Sequence, residues 1–274
     1  MRLTSYLLAA AGISLLAACS GGNGSSSQTA SPQPSPTASV VVAASPTLGG
    51  SPAPTATPAV ATQQVSFTDI NGDFGQQAIT DEAALGILDS TSGAFKPNSP
   101  ITRAQFVRWL VKASNVYFKE TPSKQIRLAK TGPAQFVDVP MNNPDFQYIQ
   151  GLANSGFVIG VDKTHFAPSR TLTREELVAI KVPIDEGENI TPYPGIAGFI
   201  HYSDTNKINP RYMTAVHEDD TARATHNIAR IWGALKTFSP QKPVTRSEAA
   251  IAIWEIDDGG AAVAMGRTAP PPPK

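Results

Sequence analysis

Three arginines recur at one place in three similar stretches of the chain. Arg103, Arg174 and Arg246 each follow a threonine and are spaced 71 and 72 residues apart. The pattern Thr102–Gln105, Thr173–Glu176 and Thr245–Glu248 predicts a helix start in each stretch. There the threonine hydroxyl takes one free backbone N–H, and the residue three places on returns to the threonine N–H. A cation at the first helical position opposes the positive end of the helix dipole at a cost of about 0.3–1 kcal/mol. A bound anion would compensate, because free N–H groups and a fork-shaped guanidinium then face one carboxylate. A structural pair with Asp69, Asp138 or Asp204 is the other reading of the same residues, and residue types alone leave both open.

Other sets of reactive residue types lead nowhere. Asp69-x-Asn71-x-Asp73 has the start of a calcium loop, but Phe74 and Thr80 stand where Gly and a bidentate Glu are required. His217-Glu218-Asp219-Asp220 with His226 lacks the second histidine of a zincin helix. Glu175 and Glu176 are adjacent, about 100° apart on a helix, and are poorly placed to flank one bond. No nucleophile elbow, phosphate loop or dinucleotide fingerprint is present. The expectation is a protein that is not an enzyme and needs neither cofactor nor metal. Lysines and arginines balance acids, and charged residues make up 16%, below the usual share of about 25%. That gives no electrostatic footprint for nucleic acid.

The elements that position these residues repeat. The units open Phe67-Thr68-Asp69, Phe136-Val137-Asp138 and Tyr202-Ser203-Asp204. They close on Phe95-Lys96-Pro97, Phe166-Ala167-Pro168 and Phe238-Ser239-Pro240, each Phe eight residues before its Arg. Phe106, Trp109, Leu110 and Ala113 form one apolar helical face. Each unit reads as helix, turn and second helix, too small to bury its own apolar faces, so neighbours must share a core. Helical spacing assigns Trp109 and Trp254 to packing, and Trp232, beside Gly233, is the candidate surface platform.

An aromatic-x-Asp opening, a Phe-x-Pro turn and a Thr-Arg-Ala-Glu-like helix start resemble the S-layer homology (SLH) domain, over about residues 65–257. The second unit also has the family's middle, Gly156-Phe157-Val158-Ile159-Gly160. Gln105 departs from the usual Glu, Tyr202 from Phe, and the third unit is longer with no evident middle. The resemblance implies a mainly α fold: three helix-turn-helix repeats packed as one pseudo-threefold domain with grooves between them. It implies binding of anionic, often pyruvylated, cell-wall polysaccharide, with Arg103, Arg174 and Arg246 as carboxylate contacts. Asp69, Asp138 and Asp204 would accept sugar hydroxyls or cap a turn, the turn being preferred. A degenerate repeat acting as a protein-interaction module in the envelope is the alternative.

The ends read as address and tether. Residues 1–18 have the short cationic start and apolar run of a secretory signal. Leu16-Ala17-Ala18-Cys19 resembles a lipobox, which implies lipidation of Cys19, the chain's single cysteine. Residues 19–64 are rich in Ser, Pro, Thr and Ala, and the absence of charge, the repeated Ser-Pro and Thr-Pro steps and the few residues able to drive collapse predict a disordered linker. Repeats are expected at 65–118, 134–184 and 200–257, with a disordered Pro-rich tail over 258–274. The membrane partner would be reached through the lipid: the outer membrane if the cell has two, otherwise the outer face of the cytoplasmic membrane.

Overall fold

The computed structural model describes residues 60–157, 160–221 and 226–268, which fall within the unit spanning 53–274. The expected signal, Cys19, residues 158–159 of the second unit's middle, and the last six residues lie outside the described residues.

The first unit holds β1 (Ser66–Phe67), α1 (Gln76–Ala84), β2 (Ser92–Gly93), parallel to β1, and α2 (Arg103–Tyr117). The second holds α3 (Phe146–Asn154) and α4 (Arg174–Glu186). The third has two helices ahead of its motif, α5 (Met213–Thr221) and α6 (Asn227–Trp232), and then α7 (Arg246–Ile253). That added helix, with the connection before it, accounts for the length of the third unit. The fold is mainly α, as the sequence predicts.

Each first helix packs on the second helix of the preceding unit: α3 on α2, α5 on α4, and α1 on α7. The loops before α2, α4 and α7 meet in a closed cycle of backbone hydrogen bonds. Leu172 N–H donates to Ile101 C=O (2.9 Å), Val244 to Leu172 (2.9 Å) and Ile101 to Val244 (3.0 Å). All three residues are fully buried.

The helix starts are completed across units as well. A helix leaves its first N–H groups without internal partners. Here Arg103 and Ala104 N–H donate to Arg170 and Pro168 C=O (both 3.0 Å), and Arg174 and Glu175 to Lys242 and Pro240 (both 3.1 Å). Arg246 and Ser247 close the cycle on Ser99 and Pro97 (2.9 and 3.0 Å). A unit standing alone would leave these donors unpaired, at about 1–3 kcal/mol each if they stayed buried.

Two sequence expectations require correction. Residues 258–268 are not a disordered tail: β3 (Glu255–Ile256) and β4 (Gly259–Gly260) pair as a hairpin and lead into α8 (Ala261–Ala264), which packs on α1 and α2. Small residues permit this approach, since a Cβ on Gly259 would lie 2.9 Å from the Phe118 ring. Residues 60–64, assigned to the linker, belong to the fold, with Val60 N–H on Ala264 C=O (3.2 Å) and Gln63 N–H on Ala84 C=O (2.7 Å).

The shared core contains one polar set. Lys181 occupies the place of Leu110 and Ile253, seven residues beyond its arginine, and is fully buried with Asp185 as its ion-pair partner. Asp185 also accepts from Asn227 Nδ2 (2.8 Å), which Asp219 accepts from in turn (2.8 Å). Glu82 on α1 is 0% exposed and neither carboxyl oxygen has a hydrogen-bond partner among the described residues. Burial, reinforced by Asp81 and opposed by Lys181, pushes the Glu82 carboxyl well above its ordinary value near 4.5. The buried Tyr117 hydroxyl beside this set also lacks a hydrogen-bond partner among the described residues, and burial raises its pKa.

The folded state therefore keeps a proton on Glu82 that the unfolded chain releases. Its contribution to stability is complete below the ordinary glutamate value and declines as pH rises above it. Leu152 stands at the matching place on α3, three residues after an isoleucine, as Glu82 does on α1. Glu82→Leu is predicted to stabilise the protein by about 1–3 kcal/mol near pH 8. The gain should shrink towards about pH 4, as checked by urea unfolding at both values.

Candidate functional site: the grooves between units

In each unit the opening aromatic packs on the closing Phe, with ring centroids 5.3 Å apart for Phe67–Phe95, 5.7 Å for Phe136–Phe166 and 5.4 Å for Tyr202–Phe238. The opening aspartate clamps the turn that follows. Asp69 accepts from Phe95 and Lys96 N–H (2.7 and 2.8 Å), Asp138 from Phe166 and Ala167 (2.9 and 2.7 Å), and Asp204 from Phe238 and Ser239 (2.8 and 2.9 Å). The second residue of each pair has a left-handed backbone: φ is +60° at Lys96, +58° at Ala167 and +56° at Ser239. Such a conformation is unfavourable for a residue with a side chain, and two hydrogen bonds to one carboxylate hold it. The Lys96 N–H bond and its companions lower the Asp69 pKa. Of the readings open for the aspartates, this geometry is the turn cap, and the ion pairs found for Arg103 and Arg174 among the described residues are with Glu176 and Glu248.

The carbonyl of the clamped Phe receives the arginine of the preceding unit. Arg103 Nε donates to Phe166 C=O (2.8 Å), Arg174 Nη1 to Phe238 C=O (3.0 Å) and Arg246 Nε to Phe95 C=O (2.8 Å). Each guanidinium lies over an aromatic face: Arg103 over Phe166 (4.6 Å), Arg174 over Trp232 (4.4 Å), and Arg246 over Phe95 (4.6 Å) and Trp109 (4.9 Å). Burial is the main influence on all three and lowers their pKa.

The grooves then differ. Arg103 is 0% exposed and pairs with Glu176 of the next unit (3.1 Å), which Arg170 also contacts. Arg174, nearly as buried, faces Glu248 at 3.7 Å. Trp232 is no open platform: its indole N–H donates to Glu248 (2.8 Å), Arg174 covers one face and its edge meets Phe238. In the third groove, between unit three and unit one, the matching residue is Gln105. Its amide N–H₂ goes to Asp89 (2.9 Å) instead. Asp89 is held further by Arg108 and by the Trp109 indole N–H (3.0 Å). Arg246 is half-buried and has no ion pair among the described residues.

Glu176 and Glu248 therefore have a role that sequence reasoning assigned only to capping. Glu248 closes a full box with Thr245 (3.1 and 2.8 Å), and Glu176 accepts from Thr173 N–H (3.1 Å). At α2 the hydroxyl half remains, from Gln105 N–H to Thr102 (3.2 Å). The signal was in the sequence: one amide stood where the other two units carry a carboxylate. The acids set aside as chemistry serve local structure. Asp219 accepts the first N–H groups of α6 (2.9 and 2.8 Å), and Glu175 accepts from Asn209 N–H (2.8 Å).

Removing a buried charge whose partner stays buried costs more than removing a half-exposed one. Arg103→Ala is predicted to cost about 3–5 kcal/mol of stability and Arg246→Ala about 1–2 kcal/mol, measured by denaturant unfolding.

A family model described as "S-layer homology domain" matches residues 66–107, 135–178 and 234–250. The chain is 24% identical over 202 residues, 70% of its length, to the "Surface-layer 125 kDa protein" of Lysinibacillus sphaericus, and spans 15% of that relative's length. The matched regions contain the three aspartate-clamped turns or the arginine helix starts that cross from unit to unit. The S-layer homology model thus matches a stretch within each of the three units that close the ring, over less than half of the chain.

Proposed function

We propose that this protein is a non-catalytic envelope anchor. Its repeat domain grips an anionic cell-wall polysaccharide, and lipid on Cys19 ties the chain to a membrane. The matched domain description and the surface-layer relative support wall association. The observation that carries the binding mechanism is the unequal charge of the three grooves. Arg103 and Arg174 are neutralised by Glu176 and Glu248, whereas the matching position in the Arg246 groove is Gln105, and the nearby carboxylate, Asp89, is ion-paired with Arg108. The groove between unit three and unit one is thus the one suited to a ligand carboxylate, such as the acid group of a pyruvylated sugar. Arg246 supplies the guanidinium edge not used by Phe95. Trp109 and Phe95 back its faces, and Asp69 holds the turn. Arg103 and Arg174, with Asp138, Asp204 and Trp232, build the other two grooves and position their walls.

Two measurements test this. Co-sedimentation of the whole chain with detergent-washed sacculi should succeed with native sacculi and fail after mild acid removes secondary polysaccharide. Binding that survives stripping would point to a protein partner and overturn the reading. Gln105→Glu restores the carboxylate found in the other grooves. It is predicted to weaken sacculus binding about tenfold, about 1.4 kcal/mol, while the protein stays folded. Undiminished binding by the folded variant would remove Arg246 as the carboxylate contact.

A further inference from the structure

Away from the arginine grooves, the connection between the first two units forms one wall of an open cleft of about 700 Å³, lined by Arg127, Leu128, Ala129, Lys130, Thr131, Gly151, Asn154 and Ser155. Two lining residues are cations and none is an acid. Arg127 and Lys130 are exposed, and neither takes part in an ion pair or side-chain hydrogen bond among the described residues. Elsewhere in this domain Arg108, Lys124, Arg170 and Arg267 face carboxylates, whereas the exposed Lys96, Lys119, Lys163, Lys207, Lys236 and Lys242 have no ion pair among the described residues. What sets Arg127 and Lys130 apart is that both line one cleft whose lining holds no acid.

The backbone that presents the two cations is held in place. Ile126 is buried and exchanges two hydrogen bonds with the Asn115 side chain (2.8 and 3.0 Å). Ala129, also buried, donates its N–H to Gln147 C=O (3.0 Å). Gly151 lets α3 approach so closely that a Cβ there would lie 2.6 Å from Arg127 O. With residues 126 and 129 buried, 127 and 130 stand exposed on a loop segment held by these bonds. Less backbone ordering is then needed when a ligand arrives. Neutral donors complete the lining. Thr131 has a hydroxyl, and the Asn154 side-chain oxygen is taken by Gln150 (2.8 Å), which leaves its N–H₂ as the end able to donate.

We infer that the Arg127–Lys130 cleft is a second anion-binding site of this domain, taking a charged group of an acidic polysaccharide at a place separate from the arginine grooves. The inference rests on the proposed wall-polymer reading for its ligand class. Anionic groups of such a polymer are phosphodiesters or carboxylates, and both would meet the same two cations and hydrogen-bond donors. The two cations also stand near the C-terminal end of α3, where positive charge is favourable for the helix itself, so the test must separate binding from stability.

The test uses the whole chain, wild type and Arg127→Gln/Lys130→Gln, titrated with polyglycerol phosphate, polygalacturonate and neutral dextran. Exposed ion pairs are worth about 0.2–1 kcal/mol each, so the double variant should bind its preferred acidic polymer about tenfold more weakly. Wild-type binding should fall as salt rises from about 0.05 to about 0.5 M, more steeply than that of the variant, and dextran should not bind. The phosphate and carboxylate arms show which charge the cleft prefers. Equal polymer binding by the two proteins overturns the inference while leaving sacculus binding by wild type, and with it the anchoring reading, intact. A variant that loses only thermal stability assigns the cations to α3 and also overturns it. Failure of wild type on both acidic polymers overturns it as well.

Discussion

The closed cycle of backbone hydrogen bonds through Ile101, Leu172 and Val244 constrains the rest of the domain. Its three amides and three carbonyls are buried in loops, where an unpaired group is costly, and each finds its partner only in another unit. The same dependence extends outward. The first N–H groups of α2, α4 and α7 end on the turn of the following unit, and the motif arginines reach the Phe carbonyl of that turn. The aspartates, in turn, hold the left-handed residues that aim those carbonyls. A repeat here is a unit of sequence, and its hydrogen bonding is complete only in the ring.

Given that frame, function is expected where the symmetry is broken. Gln105 in place of a glutamate leaves Arg246 without an ion pair among the described residues, while the other two arginines face their neighbours' carboxylates. Lys181 in place of Leu110 and Ile253 brings a charge to the shared core. Asp185, Asn227 and Asp219 then assemble around it and tie α4 to the extra helix of the third unit. Glu82 in place of Leu152 adds a second ionisable group whose oxygens find no hydrogen-bond partner among the described residues, and its raised pKa makes stability depend on pH.

Much of this was legible in the sequence. The capping threonines, the eight-residue Phe-to-Arg spacing and the apolar face of α2 gave the helices, their shared core and the order of units. The destination of the arginines was not legible, because their partners are backbone carbonyls about 63 to 151 positions away and carbonyls carry no sequence signature. The left-handed residues were hidden for a related reason: Lys96, Ala167 and Ser239 are not glycines, and only the aspartate clamp explains them. The terminal hairpin and α8 were missed because Gly259, Gly260 and the alanines after them are equally at home in a loose tail. Their smallness matters only once Phe118 and α2 are in place.

Native-state hydrogen exchange at the amides of Ile101, Leu172 and Val244 tests the ring most directly. Amides released only by global unfolding share one free energy of opening, whereas a locally stable unit would release its own separately. All three should exchange with the same free energy, equal to that of global unfolding by denaturant. Clearly different values, with one amide opening well below the global value while the others hold, would show that the units stand independently and that the ring is not what holds the domain together.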